Sequence, residues 1–205
     1  MNRSNLGRSA IALCIATLLA GCASTTVEIQ PSSQPAICAA AETALVLWAP
    51  RWRPDQKDVA TREEAAAAGL RDFFASSGCF AQTELRKVAE LSASSVRAQL
   101  AGVPVAYSKL VGIEVRELGP TVKLFSSASL VEGGTEVVLR VVEYSSQAAA
   151  EQRSFIVHWR NGGAGVVKGV ASLPADLQAA LRAGLLPAAA QANDGKLATA
   201  SLRWP

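Results

Sequence analysis

The run Thr43-Ala-Leu-Val-Leu-Trp-Ala49, TALVLWA, has no polar residue after its first position. Apolar and polar residues alternate in a strand that has one wet face. An unbroken apolar run of this length instead suits a central strand covered on both faces. A helix should cross over next. Thr61 and Glu64 have the spacing of a capping box, and Ala66, Leu70, Phe73, Phe74 and Ser77 fall at helical spacing. Gly78 then supplies the left-handed residue that commonly ends a helix. The stretch "CFAQTELRKV", Cys79 to Val88, reads as the next strand, and Ser92 to Leu100 as a short second helix.

Further on, the period changes to two. Val111, Ile113 and Val115 alternate with Gly112, Glu114 and Arg116, and Val137, Leu139 and Val141 stand at every second position. Both segments read as strands. "EGGT", Glu132 to Thr135, and "RNGG", Arg160 to Gly163, have the glycine-rich chemistry of hairpin turns, which makes the second half an antiparallel meander. A last helix follows, with Ser172 as N-cap, Leu173, Leu177, Ala180 and Leu181 facing inward, and Gly184 as its stop. The expected fold is α+β: a two-layer sandwich whose mixed sheet has a strand-helix-strand start, an antiparallel meander and a C-terminal helix.

The chain begins with Arg3 and Arg8, continues with a dozen apolar or small residues from Ser9 to Ala20, and reaches "LAGC", Leu19 to Cys22. A spanning helix needs roughly 20 apolar residues, so this run is short for a membrane crossing and reads as an export signal. Leu19, Ala20, Gly21 and Cys22 resemble the lipobox of bacterial lipoproteins. That resemblance implies cleavage before Cys22 and acylation of Cys22; an ordinary secretory signal with an unrelated cysteine is the alternative. In that family an aspartate after the cysteine commonly retains the protein in the inner membrane. Ala23 stands here, which implies the outer membrane, on its periplasmic face.

The expected domain organisation is a signal peptide (1–21), a lipidated cysteine and flexible tether (22–40), one α+β periplasmic domain (41–186) and a mostly disordered tail (187–205) containing Trp204. Removing residues 1–21 from the 205 leaves 184, enough for one domain with its own core. Of 20 basic residues Arg3 and Arg8 leave with the signal, so 18 face 17 acidic ones. This near-neutral balance argues against nucleic acid as a partner.

Cys14 leaves with the signal and Cys22 carries lipid. Cys38 and Cys79 remain, in an oxidising compartment, just ahead of two strands that start at the same end of a strand-helix-strand unit. They are expected to form a disulfide, two buried thiols being the alternative. His158 is the only histidine, and no nucleophile elbow, zinc-binding spacing, Cys-x-x-Cys or Walker loop accompanies it. The sequence therefore suggests no catalytic residue, no metal and no cofactor. "WAPRWRPDQKD", Trp48 to Asp58, follows the carboxyl end of the first strand. It places Trp52 between Arg51 and Arg53, residue types that dominate interface hot spots. These three are the candidate partner-binding residues. The other reading is that Trp52 caps the core while the arginines pair with Asp55, Asp58 or Glu63.

The order of elements behind a lipobox is similar to that of two groups of small periplasmic lipoproteins. One comprises auxiliary lipoproteins of lipid-trafficking ABC transporters. The other resembles the penicillin-binding-protein activator and the curli pore subunit. This resemblance, over roughly residues 41–186, implies a non-catalytic accessory or scaffold protein of the cell envelope that contacts other envelope proteins. The alternative functions are a binding module for a lipid or cell-wall fragment and an unrecognised hydrolase using His158.

Overall fold

The computed structural model describes residues 23–32, 34–101, 107–125 and 130–187. Its strands are β1 (Ser24–Gln30), β2 (Ala39–Pro50), β3 (Phe80–Lys87), β4 (Lys109–Phe125), β5 (Leu130–Tyr144) and β6 (Glu151–Ala164). Its helices are α1 (Val59–Ser76), α2 (Ala93–Ala101) and α3 (Leu173–Leu185), the last entered by a 3-10 turn at Val170–Ser172. One six-stranded sheet has the order β1-β6-β5-β4-β2-β3. β2 pairs in parallel with both β3 and β4, while β4, β5, β6 and β1 pair antiparallel. This is the expected α+β arrangement, with its mixed sheet, strand-helix-strand start, meander and C-terminal helix.

β2 is buried on both faces. Ala44, Val46 and Trp48 join Leu70 and Phe73 of α1 and Leu177 and Leu181 of α3 in the main core. Leu45, Leu47 and Ala49 point the other way, into a smaller cluster with Val96 of α2, Val142 and Tyr144. A strand with apolar side chains on both faces must be covered on both, so α2 adds a cap on the side opposite the helix layer.

α1 and α3 approach closely because glycines stand where they meet other elements. A Cβ on Gly69 of α1 would lie 2.7 Å from the Pro174 carbonyl oxygen, and one on Gly184 of α3 would lie 2.5 Å from Val157 Cγ2. Gly184 therefore sits inside the helix and serves close packing on β6, not as the expected stop. Ser172 does precede α3, but its hydroxyl bonds Gly169 O and Asp176 instead of a helix amide. The capping box is also displaced. α1 starts at Val59 behind Asp58, which is left-handed (φ 55°), so Thr61 and Glu64 lie within the helix. Gly78 does take positive φ (64°) just beyond the helix end.

The two glycine pairs are not turns. Gly133 and Gly134 lie within β5, Gly162 and Gly163 within β6, and Gly134 pairs with Gly162. A Cβ on Gly134 would meet the Asn161 carbonyl oxygen at 2.6 Å, so glycine here permits two backbones to approach. β6 ends at Ala164, and Gly165 beyond it takes φ 73°. The tether reading fails for residues 24–30. They form edge strand β1, paired residue for residue with β6 from Ser24↔Gly162 to Gln30↔Ile156. Arg153 then fastens the segment after β1, donating to Pro35 O at 2.8 Å and Ala36 O at 3.2 Å. Cys22 and the tail with Trp204 lie outside the described residues.

Cys38 and Cys79 form a disulfide. The parallel pair Ala39↔Phe80 follows directly, so the bridge joins β2 and β3 where both begin. Two outcomes are expected. Replacing both cysteines by serine removes a cross-link over a sequence separation of 41; on the chain-entropy model this lowers unfolding free energy by about 4 kcal/mol, read as a drop in urea midpoint. Gly184→Ala gains helix propensity worth about 1 kcal/mol. It nevertheless destabilises by about 1–2 kcal/mol net, because stiff Val157 has to move; an unchanged or raised midpoint would contradict the contact.

Candidate functional site

Among the described residues, the sheet face opposite α1 and α3 is covered only at the α2 end and is charged elsewhere. Cross-strand pairing sets its pattern, because residues directly opposite share a face. One row reads Thr26, Arg160, Glu136 and Gly119 across β1, β6, β5 and β4, and the next reads Glu28, His158, Val138 and Glu117. A bulge in β4 between Val115 and Glu117 makes Arg116 an extra residue. It shifts the inward phase from Val115 to Leu118 and leaves Glu114, Arg116 and Glu117 close together.

Glu114, Glu117, Glu136 and Glu151 on this face each bond an arginine. Glu136 accepts from His158 Nε2 at 2.5 Å and Arg160 Nη2 at 2.9 Å. Glu114 accepts from Arg116 Nε at 2.7 Å, and Arg140 reaches Glu151 at 2.7 Å. On the opposite face, which Val111 and Val141 share with the main core, Glu143 accepts from Lys109 at 2.5 Å and Arg153 at 2.6 Å. Glu117 is tied to α1: Arg62 Nη1 donates to Glu117 at 2.9 Å and to Leu118 O at 2.6 Å, while its Nε bonds Lys57 O at 2.9 Å. A Cβ on Gly119 would lie 1.8 Å from Arg62 Nη1, so a glycine is needed for the guanidinium to cross β4 there.

Burial pushes the Glu136 carboxyl up, but hydrogen bonds from His158 and Arg160 outweigh it and hold the group below its ordinary range. Glu143 is held down in the same way against burial, by Lys109 and Arg153. Glu151 is lowered chiefly by the Ser154 hydroxyl, with Arg140 adding to it.

A cavity of about 580 Å³ opens where this face meets the loop after β2, lined by Arg51, Arg53, Glu114, Arg116, Glu117, Glu136 and Val138. The structure thus brings two of the three sequence candidates to one cavity. Arg51 is exposed; its backbone amide bonds Val115 O at 2.8 Å, and its side chain has no carboxylate partner among the described residues. Arg53 lies 3.5 Å from Glu117 and 3.9 Å from Asp55. Trp52 turns away. It is half-buried, packs against the main core and donates its indole N–H to Glu63 at 3.3 Å. The core-capping reading therefore holds for Trp52, and Arg53 takes Glu117 as a partner that sequence spacing did not suggest.

Sequence reading missed Glu114, Arg116 and Glu136 as cavity residues. The alternating pattern marks 114, 116 and 136 as outward, yet the bulge that gathers them has no sequence signal. Among the described residues no group of three or more His, Cys, Asp and Glu is arranged to hold a metal, and no helix is long and apolar enough to cross a membrane. His158 has Glu136 on Nε2 and faces Glu28 and Val138 across the strands. The arrangement is an ion-paired surface capable of binding polar and charged groups.

No family model and no curated protein matches the sequence. Solved structures similar to the chain include the PelC dodecamer from Paraburkholderia phytofirmans, 15% identical, with 80% of this chain and 99% of that chain covered and a TM-score of 0.44. Another is protein XCC0632 from Xanthomonas campestris, a DUF330 protein, 15% identical, covering 83% of this chain and 96% of that one, TM-score 0.41. Lipoprotein GNA1162 from Neisseria meningitidis is 12% identical, with 69% and 96% covered and a TM-score of 0.36.

The lowered carboxyls give a pH dependence. A group whose folded pKa is depressed stabilises fully above its unfolded value and loses that contribution as pH falls through the folded pKa. The urea midpoint should be flat from neutrality down to about pH 5 and fall below the ordinary value of 4.5. Glu136→Gln should reduce that acid fall, and an unchanged profile would contradict the pairing.

Proposed function

We propose that this chain is a lipid-anchored accessory protein of the bacterial cell envelope. It is held by acylated Cys22 on the periplasmic face of the outer membrane and binds another envelope protein without catalysis. The observation that carries the binding part of this reading is the cavity lined by Arg51, Arg53 and Arg116 beside paired glutamates. Arg51 offers an uncompensated guanidinium, and the carboxylates beneath are already neutralised, so the cavity suits a partner that brings acidic groups. The lipobox-like LAGC supports the anchor, and the Cys38–Cys79 disulfide supports an exported, oxidising location.

A lipid or cell-wall fragment has less to engage. The shallow groove between α1 and β3, lined by Phe74, Leu85, Ala75, Thr83 and Arg71, measures about 310 Å³, at the bottom of the range for ligand pockets. His158 serves Glu136 on the charged face, which supports a structural role.

Acylation is read by fatty-acid labelling and detergent-phase partitioning. Both should be lost in Cys22→Ala; retention of both would remove the anchor from the proposal. Partner binding is read by cross-linking in cells followed by mass spectrometry. Arg51→Glu with Arg53→Glu should abolish the cross-links while changing stability by less than about 1 kcal/mol, as expected for exposed charges. Trp52→Ala should cost stability instead, about 1–3 kcal/mol, because it uncovers the core. Cross-links that survive the double arginine change would place the partner elsewhere.

A further inference from the structure

Whatever holds Cys22 holds the sheet almost directly. Ser24 is already a paired residue of β1, with its hydroxyl bonded to Gly162 O at 3.3 Å, and Thr25 accepts from Asn161 Nδ2 at 2.7 Å. Two peptide steps separate Cys22 from Ser24, so their Cα atoms lie within about 7.6 Å. A flexible tether over the whole of 22–40 would instead have allowed an end-to-end distance of about 24 Å.

The end of the sheet nearest Cys22 has a distinct surface. Its cross-strand row is Ser24, Gly162, Gly134 and Thr121, bare of large side chains and about 14 Å wide. Five large hydrophobic side chains are exposed among the described residues, and the two most exposed, Val167 (86%) and Val122 (64%), are both at this end. Val122 pairs with Gly133. The turn carrying Val167 folds over the same glycine, since a Cβ there would meet Val166 O at 2.1 Å. The β4–β5 pair continues beyond the row to Phe125↔Leu130, a further four residues or about 13 Å.

We infer that this end of the domain, with Val122 and Val167, rests on the lipid headgroups and fixes the sheet in one orientation on the membrane. The inference rests on acylation of Cys22. The occupant is the bilayer, because the chain outside the described residues ends within two peptide steps of this surface. Apolar side chains at the membrane boundary add to acyl-chain insertion as buried area does. The Arg51 cavity, on the sheet face, then stands beside the membrane plane, open to a protein in the periplasm.

The test uses acylated full-length protein in phosphatidylcholine/phosphatidylglycerol vesicles containing a headgroup-nitroxide lipid. A fluorophore is placed through Val167→Cys, Val122→Cys or, as reference, Gln147→Cys. Gln147 is exposed in the turn between β5 and β6, past Tyr144, which is ten residues or about 33 Å along β5 from Gly134. Docking predicts several-fold stronger quenching at 167 and 122 than at 147. Equal quenching at all three, with acyl label and vesicle binding retained, would overturn docking and leave the anchor standing. Loss of acyl label from the parent protein would overturn both. Self-quenching between labels at 167 on separate molecules, without lipid quenching, would assign the surface to a second copy and also overturn the inference.

Discussion

The structure depends on one strand that cannot show either face to water. β2 places Val46 and Trp48 against α1 and α3 and Leu45 and Leu47 against α2, all close to fully buried. At roughly 25 cal/mol per Å² of apolar surface, exposing either face would cost several kcal/mol, comparable to the net stability of a whole domain. β2 therefore takes parallel neighbours on both sides, and the crossovers that parallel pairing requires supply its covers. α1 crosses to β3 on one side, and α2 lies on the other between β3 and β4. The disulfide closes the first of these crossovers where its strands begin.

Away from β2 the sheet needs only one cover, and its free face carries charge. Individually, partly exposed ion pairs contribute about 0–1 kcal/mol. Their shared arrangement matters more: Glu114, Glu136 and Glu151 each bond an arginine, which offsets the negative charge the strands place on this face. The charged strand faces also discourage stacking of one sheet on another. Where the β4 bulge crowds Arg116 against Glu114 and the 51–58 loop arrives, this regular pattern becomes a cavity with surplus guanidinium on its rim.

How much of this the sequence revealed depends on whether the deciding contact is local. The apolar run of β2, the period of α1 and the alternation of β4 and β5 are local properties, and each appears where its pattern places it. Cys38 and Cys79 were legible because compartment and topology together leave one pairing. Gly133, Gly134, Gly162 and Gly163 were misread as turns: their composition suits a turn, but the reason for them is a neighbouring backbone on another strand. β1 was misread because Ser24-Thr-Thr-Val-Glu-Ile-Gln30 is polar and short, like a linker, and an edge strand buries little. Its partner is 138 positions away at Ser24 and Gly162, beyond any window of local pattern. Trp52 has the composition of an interface anchor, and only the position of Glu63 reveals where its indole points.

The pairing of β1 with β6 also has a mechanical consequence. If Cys22 is held as proposed above, a pull on the folded body directed along β1 loads that strand parallel to its axis. The hydrogen bonds of the register from Ser24 to Gln30 then resist together in shear instead of opening one after another. The Arg153 clamp on Pro35 and Ala36 takes up whatever passes that register. In such a geometry the edge strand works as a strain-bearing strap between its own N-terminal end and the folded body.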